Sequence, residues 1–314
     1  MAFLRLIRYK NLVVIALLQY LLRYGLLLPM LSFYGIDPVL SHIKFMLLVI
    51  ATVFLAASGY VINDYFDVKI DRINRPDKVV VGQVYQRRTV LLFHVLFTFI
   101  GVFTGLFLAY IYRKENYALM FIFIPVILWY YSTTLKKQVL IGNLTISLLT
   151  ALVPYFVVSL EFASLGQVYG QSILASEACS TAWFWTTGFA FFAFIVNLGR
   201  EIIKDMEDVK GDKDAGCTTL PIEMGMEYTR TIVILLSLAS IVALWVAYIV
   251  VPQLLSSSIT FWYFLVLLTL PYLVLIWLVY KAKESNEFHR VSQLSKIIML
   301  LGILFVLIAR NFFI

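Results

Sequence analysis

The sequence predicts an all-α membrane protein of about nine transmembrane helices, and three observations carry that prediction. Hydrophobic residues make up 62% of the 314-residue chain and charged residues only 14%, against roughly 25% charged in a soluble domain. A chain of this composition is solvated by lipid. Apolar runs of about 20 residues, the length that crosses a bilayer core, recur at roughly 11–32, 43–63, 89–112, 117–134, 142–163, 181–203, 230–252, 259–280 and 296–313. The basic residues also segregate. Of the 25 Lys and Arg, twenty fall on the side of the N-terminus, four on the other, and Arg23 within the first run.

Taken in order, Arg5, Arg8 and Lys10 precede the first run, which continues without a small-residue cleavage site. A retained first span is expected rather than a signal peptide. Nine spans put the termini on opposite sides, and the positive-inside rule makes the N-terminal side cytoplasmic. The net charge of +7 then reflects basic loops facing anionic headgroups, and no nucleic-acid partner is implied. The second and sixth runs each end on that side in an acidic stretch, four helices apart. This suggests two four-helix units of like orientation plus a ninth helix, around a central cavity open to the cytoplasmic side. No Gly/Ser-rich or Pro-rich linker divides the chain, so residues 1–314 are expected to form one domain, with 164–180 an external connector. Cys179 and Cys217 fall on opposite sides, which leaves neither a disulfide nor a cysteine metal site. His42, His94 and His289 lack ligand spacing and are expected to be structural.

The acidic stretches need a reason. Asp64, Asp67 and Asp71 are spaced by three and then four residues, and Asp205, Asp208 and Asp212 repeat that spacing. At ~100° per residue each trio falls within roughly 60° of one helix face. Solvated loop acids paired with Lys69, Arg72, Arg75, Lys204 and Lys210 would be the bland account of either trio alone. The same spacing at equivalent positions argues for divalent cations instead. All-oxygen ligands suit Mg²⁺, and a diphosphate bridging two Mg²⁺-carboxylate faces is the natural ligand.

These residues resemble a known family. Asn63-Asp64-x-x-Asp67-x-x-x-Asp71, followed by Asn74-Arg75-Pro76, is similar to the first aspartate-rich motif of the UbiA-type intramembrane prenyltransferases, and Asp205-x-x-Asp208-x-x-x-Asp212 to their second. Tyr131-Ser132-Thr133-Thr134-Leu135-Lys136, then Gly142-Asn143, resembles their tyrosine-and-lysine segment. The resemblance implies Mg²⁺-dependent transfer of a prenyl group from a prenyl diphosphate to a lipophilic or amphiphilic acceptor, within membrane lipid. Carried over by position, Asn63, Asp67 and Asp71 would bind one Mg²⁺, with Asp64 close by. Asp208 and Asp212, with Asp205, would bind the second. Lys136 and Arg75 would contact the diphosphate, and Tyr131 would line the site near the reacting carbon. Arg72 and Lys204 are further candidates, and Asn11 could point into the cavity. The segment Asp77-Lys78-Val79-Val80-Val81-Gly82 keeps only the glycine of the family's Pro-x-Pro-Ser-Gly-like turn. Arg23 is expected either to contact phosphate or acceptor, or to snorkel to an interface or pair with a backbone carbonyl, since an arginine within a span is costly.

Within the family, the stretch from Asn197 to Asp212, closing with Thr219-Leu220-Pro221, is most similar to the branch that joins a geranylgeranyl group to a prenylated glycerol phosphate. The runner-up is an aromatic acceptor: a hydroxybenzoate, homogentisate or naphthoate. The competing class is a secondary transporter, which would set its acids at the bilayer centre within broken helices. An inactive lipid-binding relative is disfavoured by the intact acidic ligands. The sequence leaves prenyl chain length and oligomeric state open.

Overall fold

The computed structural model describes residues 1–314, the side chain of Lys78 excepted, and is almost wholly helical. Nine helices among the described residues are long and apolar enough to cross a membrane. They are α1 (Tyr9–Phe33), α2 (His42–Asn74), α3 (Arg87–Tyr112), α4 (Glu115–Lys137), α5 (Ile141–Val168), α6 (Glu177–Asp214), α7 (Met226–Val250), α8 (Ser258–Lys281) and α9 (Ser285–Phe313).

All nine expected runs are helices, but α9 begins well before its run, and α2 and α6 continue well past the ends of theirs. They contain 33 and 38 residues, roughly 50 and 57 Å at ~1.5 Å per residue, against a hydrocarbon core of about 30 Å. Hydropathy registers side chains, whereas the backbone stays helical until something stops it. Pro76 stops α2: it lacks an N–H and drives Arg75 out of the helical region, to φ −150. The turn at Ala215 and Gly216 (φ 69) stops α6. At their other ends both helices are capped by serine. The Ser41 hydroxyl accepts from the Lys44 N–H at 3.4 Å and that of Ser176 from the Cys179 N–H at 3.3 Å. Both acidic stretches therefore lie on continuous helix.

The main core gathers Leu22, Leu26 and Met30 of α1, Phe45 and Leu48 of α2, and Phe156 and Val157 of α5. On α3, Leu92, Val95, Phe99 and Phe103 are exposed at helical spacing, the face expected to meet lipid. Val80 and Val81 are buried against Leu6, Leu12 and Val90, and Val79 is buried as well. The segment that departs from the family's turn thus packs as a hydrophobic plug.

One ion pair crosses the main core. The Arg23 Nε donates to Glu161 Oε2 at 2.9 Å, its Nη1 to the Tyr24 hydroxyl at 2.8 Å, and its Nη2 to the carbonyl of Leu40. Both side chains are almost fully buried.

Candidate active site

A cavity of about 290 Å³ runs between α1, α2, α4, α5 and α6. Its lining changes character along its length. Thr52, Leu55, Ile124, Leu128, Leu149, Val153 and the rings of Phe121 and Phe156 line an apolar interior, whereas Asn63, Asp67, Asp71, Asp205, Asp208 and Asp212 line the other end. Along α2, Thr52 and Asp71 are nineteen residues apart, roughly 28 Å of helix. The form suits a ligand with a charged head and a long apolar tail.

On α2 the face turned to the cavity carries Tyr60, Asn63, Asp67, Ile70 and Asp71. Asp67 accepts from Asn63 Nδ2 at 2.7 Å and pairs with the Lys136 ammonium. Asp64 is off this face. It pairs with Arg8 at 2.8 Å, so the two trios are not equivalent: at the cavity wall, Asn63 stands where the first trio would put Asp64. Arg8 reaches it because its own backbone is left-handed (φ 49), which turns the N-terminal segment back over α2 and rests the guanidinium on the Tyr60 ring at 5.0 Å.

On α6 the cavity face carries Asn197, Arg200, Glu201, Lys204, Asp205, Asp208 and Asp212. Asp205 accepts from Asn143 Nδ2 at 2.8 Å. Arg75 donates to both Asp208 oxygens, at 2.8 and 3.0 Å, and to Glu207 at 2.8 Å. Glu207 is held from behind by His289 Nδ1 at 2.8 Å. Asn74 fastens α2 to α6: its Nδ2 donates to the Asp208 carbonyl at 3.1 Å, and its Oδ1 accepts from the Gly211 N–H at 2.9 Å.

Lys136 sits in the 3-10 turn that closes α4, and Tyr131 lines the cavity just before it. Gly142 allows this placement, since a Cβ there would lie 2.6 Å from the Lys136 Cα. Thr218 anchors the same turn, donating its N–H and hydroxyl to the Lys137 carbonyl at 2.7 and 2.8 Å.

The structure thus brings Asn63, Asp67, Asp71, Arg75, Tyr131, Lys136, Lys204, Asp205, Asp208 and Asp212 to one cavity, together with Asn11, which donates to the Tyr60 hydroxyl at 3.3 Å. Asp64 stands behind that wall, and Arg72 is exposed and off it. Of the two expectations for Arg23, the structure matches the backbone-carbonyl partner, here Leu40, and not a phosphate or acceptor contact. Arg23 does not line the cavity, and its charge is answered by Glu161, 138 residues away in sequence. The sequence reasoning assigned no role to Arg8, Asn74, Asn143, Glu201 or Glu207. The Gly142-Asn143 pair was the available signal for Asn143.

Among the described residues, Asp71 and Asp212 have no cationic partner although both line the cavity. Two unpaired carboxylates beside further acids leave negative charge to be neutralised, and their all-oxygen character fits Mg²⁺. No three His, Cys, Asp or Glu side chains among the described residues converge closely enough to hold an ion by themselves. Mg²⁺ sites are commonly completed by substrate phosphates.

Comparison with known proteins agrees with this geometry. The model of the UbiA prenyltransferase family matches residues 24–306. The chain belongs to the UbiA prenyltransferase family. It is therefore a prenyltransferase, and the transporter alternative lapses, since α2 and α6 carry their acids at the ends of unbroken helices. The UbiA chain is 33% identical over 222 residues to the digeranylgeranylglyceryl phosphate synthase of Pyrococcus horikoshii, covering 70% of this chain and 69% of that one. It is 30% identical over 270 residues to that of Thermococcus gammatolerans, covering 85% and 86%. Across such relatives the match covers between 56% and 87% of their length. A solved structure from work on digeranylgeranylglyceryl phosphate synthase in membranes shares the fold at TM-score 0.59, with 24% identity over 98% of this chain and 97% of that one. So does a UbiA homologue from Archaeoglobus fulgidus bound to DMAPP and Mg²⁺, at TM-score 0.56 and 18% identity, covering 98% and 99%.

Proposed function

We propose that this UbiA enzyme transfers a geranylgeranyl group from its diphosphate to the free hydroxyl of a prenylated glycerol phosphate, releasing pyrophosphate. The observation that carries the reading is the single cavity joining two aspartate faces to an apolar, aromatic-lined interior. The acceptor and the chain length are supported by the relatives' names.

In this reading Asn63, Asp67 and Asp71 hold one Mg²⁺, and Asp208 and Asp212, with Asp205, hold the second. When bound, Mg²⁺ neutralises charge on the departing pyrophosphate. Lys136 and Arg75, already beside Asp67 and Asp208, turn to the same oxygens. The C1–O bond of the diphosphate breaks, the acceptor oxygen bonds to C1, and the hydroxyl proton leaves to a basic oxygen of the site. Tyr131 and the apolar wall keep water from the allylic cation. Asn11 shapes the wall. The site and the N-terminus face the cytoplasm, as the twenty-to-four distribution of basic residues supports.

The test offers the purified protein geranylgeranyl diphosphate, Mg²⁺ and either the glycerophosphate or an aromatic acceptor, with product detected by mass. Transfer to the glycerophosphate, lost in Asp67→Ala and Asp208→Ala, is expected. Transfer to a hydroxybenzoate, homogentisate or naphthoate alone would replace the acceptor, and full activity in the variants would sink the metal assignment.

A further inference from the structure

Most cations along the cavity have acids of their own. Arg8 is answered by Asp64, Lys136 by Asp67, and Arg75 by Asp208 and Glu207. Arg200 and Lys204 share one carboxylate: Arg200 Nη1 donates to Glu201 Oε1 at 2.7 Å, and Lys204 Nζ reaches both Glu201 oxygens at 2.9 Å. Arg200, only 8% exposed, has no other acid within pairing distance, because the remaining acid of this wall, Asp205, accepts from Asn143 instead. Its Nε is buried and has no hydrogen-bond partner among the described residues. A charged donor left without an acceptor at a cavity wall is costly, so this pair is suited to an anion.

We infer that Arg200 and Lys204 form the subsite for the phosphate of the glycerophosphate acceptor, separate from the aspartate-lined end that takes the donor diphosphate. The inference rests on the proposed function. Lys204 precedes Asp208 by one helical turn and Arg200 by two, roughly 6 and 12 Å along α6. A phosphate there sits toward the apolar interior from the acids, and the glycerol spans the gap to the reacting carbon. The donor diphosphate already has Lys136 and Arg75 beside its acids, whereas Arg200 and Lys204 have no such duty.

The test measures steady-state kinetics with geranylgeranylglycerol phosphate and geranylgeranyl diphosphate varied in turn, in wild type, Arg200→Gln, Lys204→Gln and Arg200→Lys. Calorimetric binding of the glycerophosphate without divalent cation accompanies it. Each glutamine variant leaves Glu201 one cationic partner, and Lys204 is partly exposed, which guards against loss of folding. Loss of a charged hydrogen bond predicts an acceptor KM, and a metal-free dissociation constant, higher by about tenfold or more. Arg200→Lys should recover part of that loss. A wild type that prenylates aromatic acceptors and neither binds nor uses the glycerophosphate ends the proposed function and this subsite together. A wild type that uses the glycerophosphate, with glutamine variants unmoved or raising the KM for geranylgeranyl diphosphate instead, overturns the subsite alone.

Discussion

The side-chain amide of Asn74 lies against the backbone of Gly211, accepting its N–H at 2.9 Å and leaving no room for a methyl group between them. A Cβ on Gly211 would meet Asn74 Nδ2 at 2.6 Å. The contact sets the spacing of the two aspartate helices, and small misplacements of reacting groups are expensive. Gly211→Ala and Asn74→Ala should each cut prenyl transfer by about tenfold or more. A steady-state assay of the membrane-embedded enzyme checks this, and wild-type turnover in both variants would show that the contact does not set the site.

Gly142→Ala should act through a different residue. Its methyl group would press on the Lys136 backbone, which cannot yield as a side-chain tip would. The expected outcome is a fall in kcat that approaches that of Lys136→Ala, with the helical signal preserved by circular dichroism. A Gly142→Ala enzyme as active as wild type would show that the turn yields freely.

Charge at the aspartate end links metal to stability. Asp71 and Asp212 lack cationic partners, so Mg²⁺ with a diphosphate should raise the unfolding temperature, and chelation should reverse the rise and abolish transfer. Asp212→Asn removes one of the like charges. In chelator it should unfold no earlier than wild type, while showing a smaller rise with Mg²⁺. Thermal unfolding in detergent with and without Mg²⁺ measures both, and an undiminished rise would remove Asp212 from the ligand set.

Breaking the Arg23–Glu161 pair should harm the fold and spare the chemistry. Glu161→Gln strands a buried guanidinium, a loss of about 3 kcal/mol or more. Replacing both partners by apolar residues, Arg23→Met with Glu161→Leu, should recover most of it. Thermal unfolding gives the stability, and the KM values for donor and acceptor, expected to stay put, test whether Arg23 has a substrate role.

The sequence made some layers of this architecture legible and hid others for definable reasons. Apolar runs disclose spans because lipid accepts little else, and the four-residue spacing of Asp67 and Asp71, and of Asp208 and Asp212, discloses a face because the helix has one pitch. Asp64 misled by the same logic: it keeps the spacing of the second trio but turns to Arg8, whose left-handed backbone no local pattern announces. Arg23 looked functional because its partner lies far along the chain. Glu201 and Glu207 escaped notice because a counter-charge has no motif, and Asn74 because its partners are backbone atoms of another helix.

The length of α2 and α6 has a consequence for how substrates arrive. Both helices are longer than a bilayer core of about 30 Å is thick, and both carry their acids toward their C-terminal ends. A lipid standing in its own leaflet already holds its headgroup toward those ends and its tail beside the apolar walls. Under the proposed reaction neither substrate has to be lifted out of the membrane or inverted, and their meeting becomes a search in two dimensions. Pyrophosphate, the one product with no tail, is left at the boundary with water.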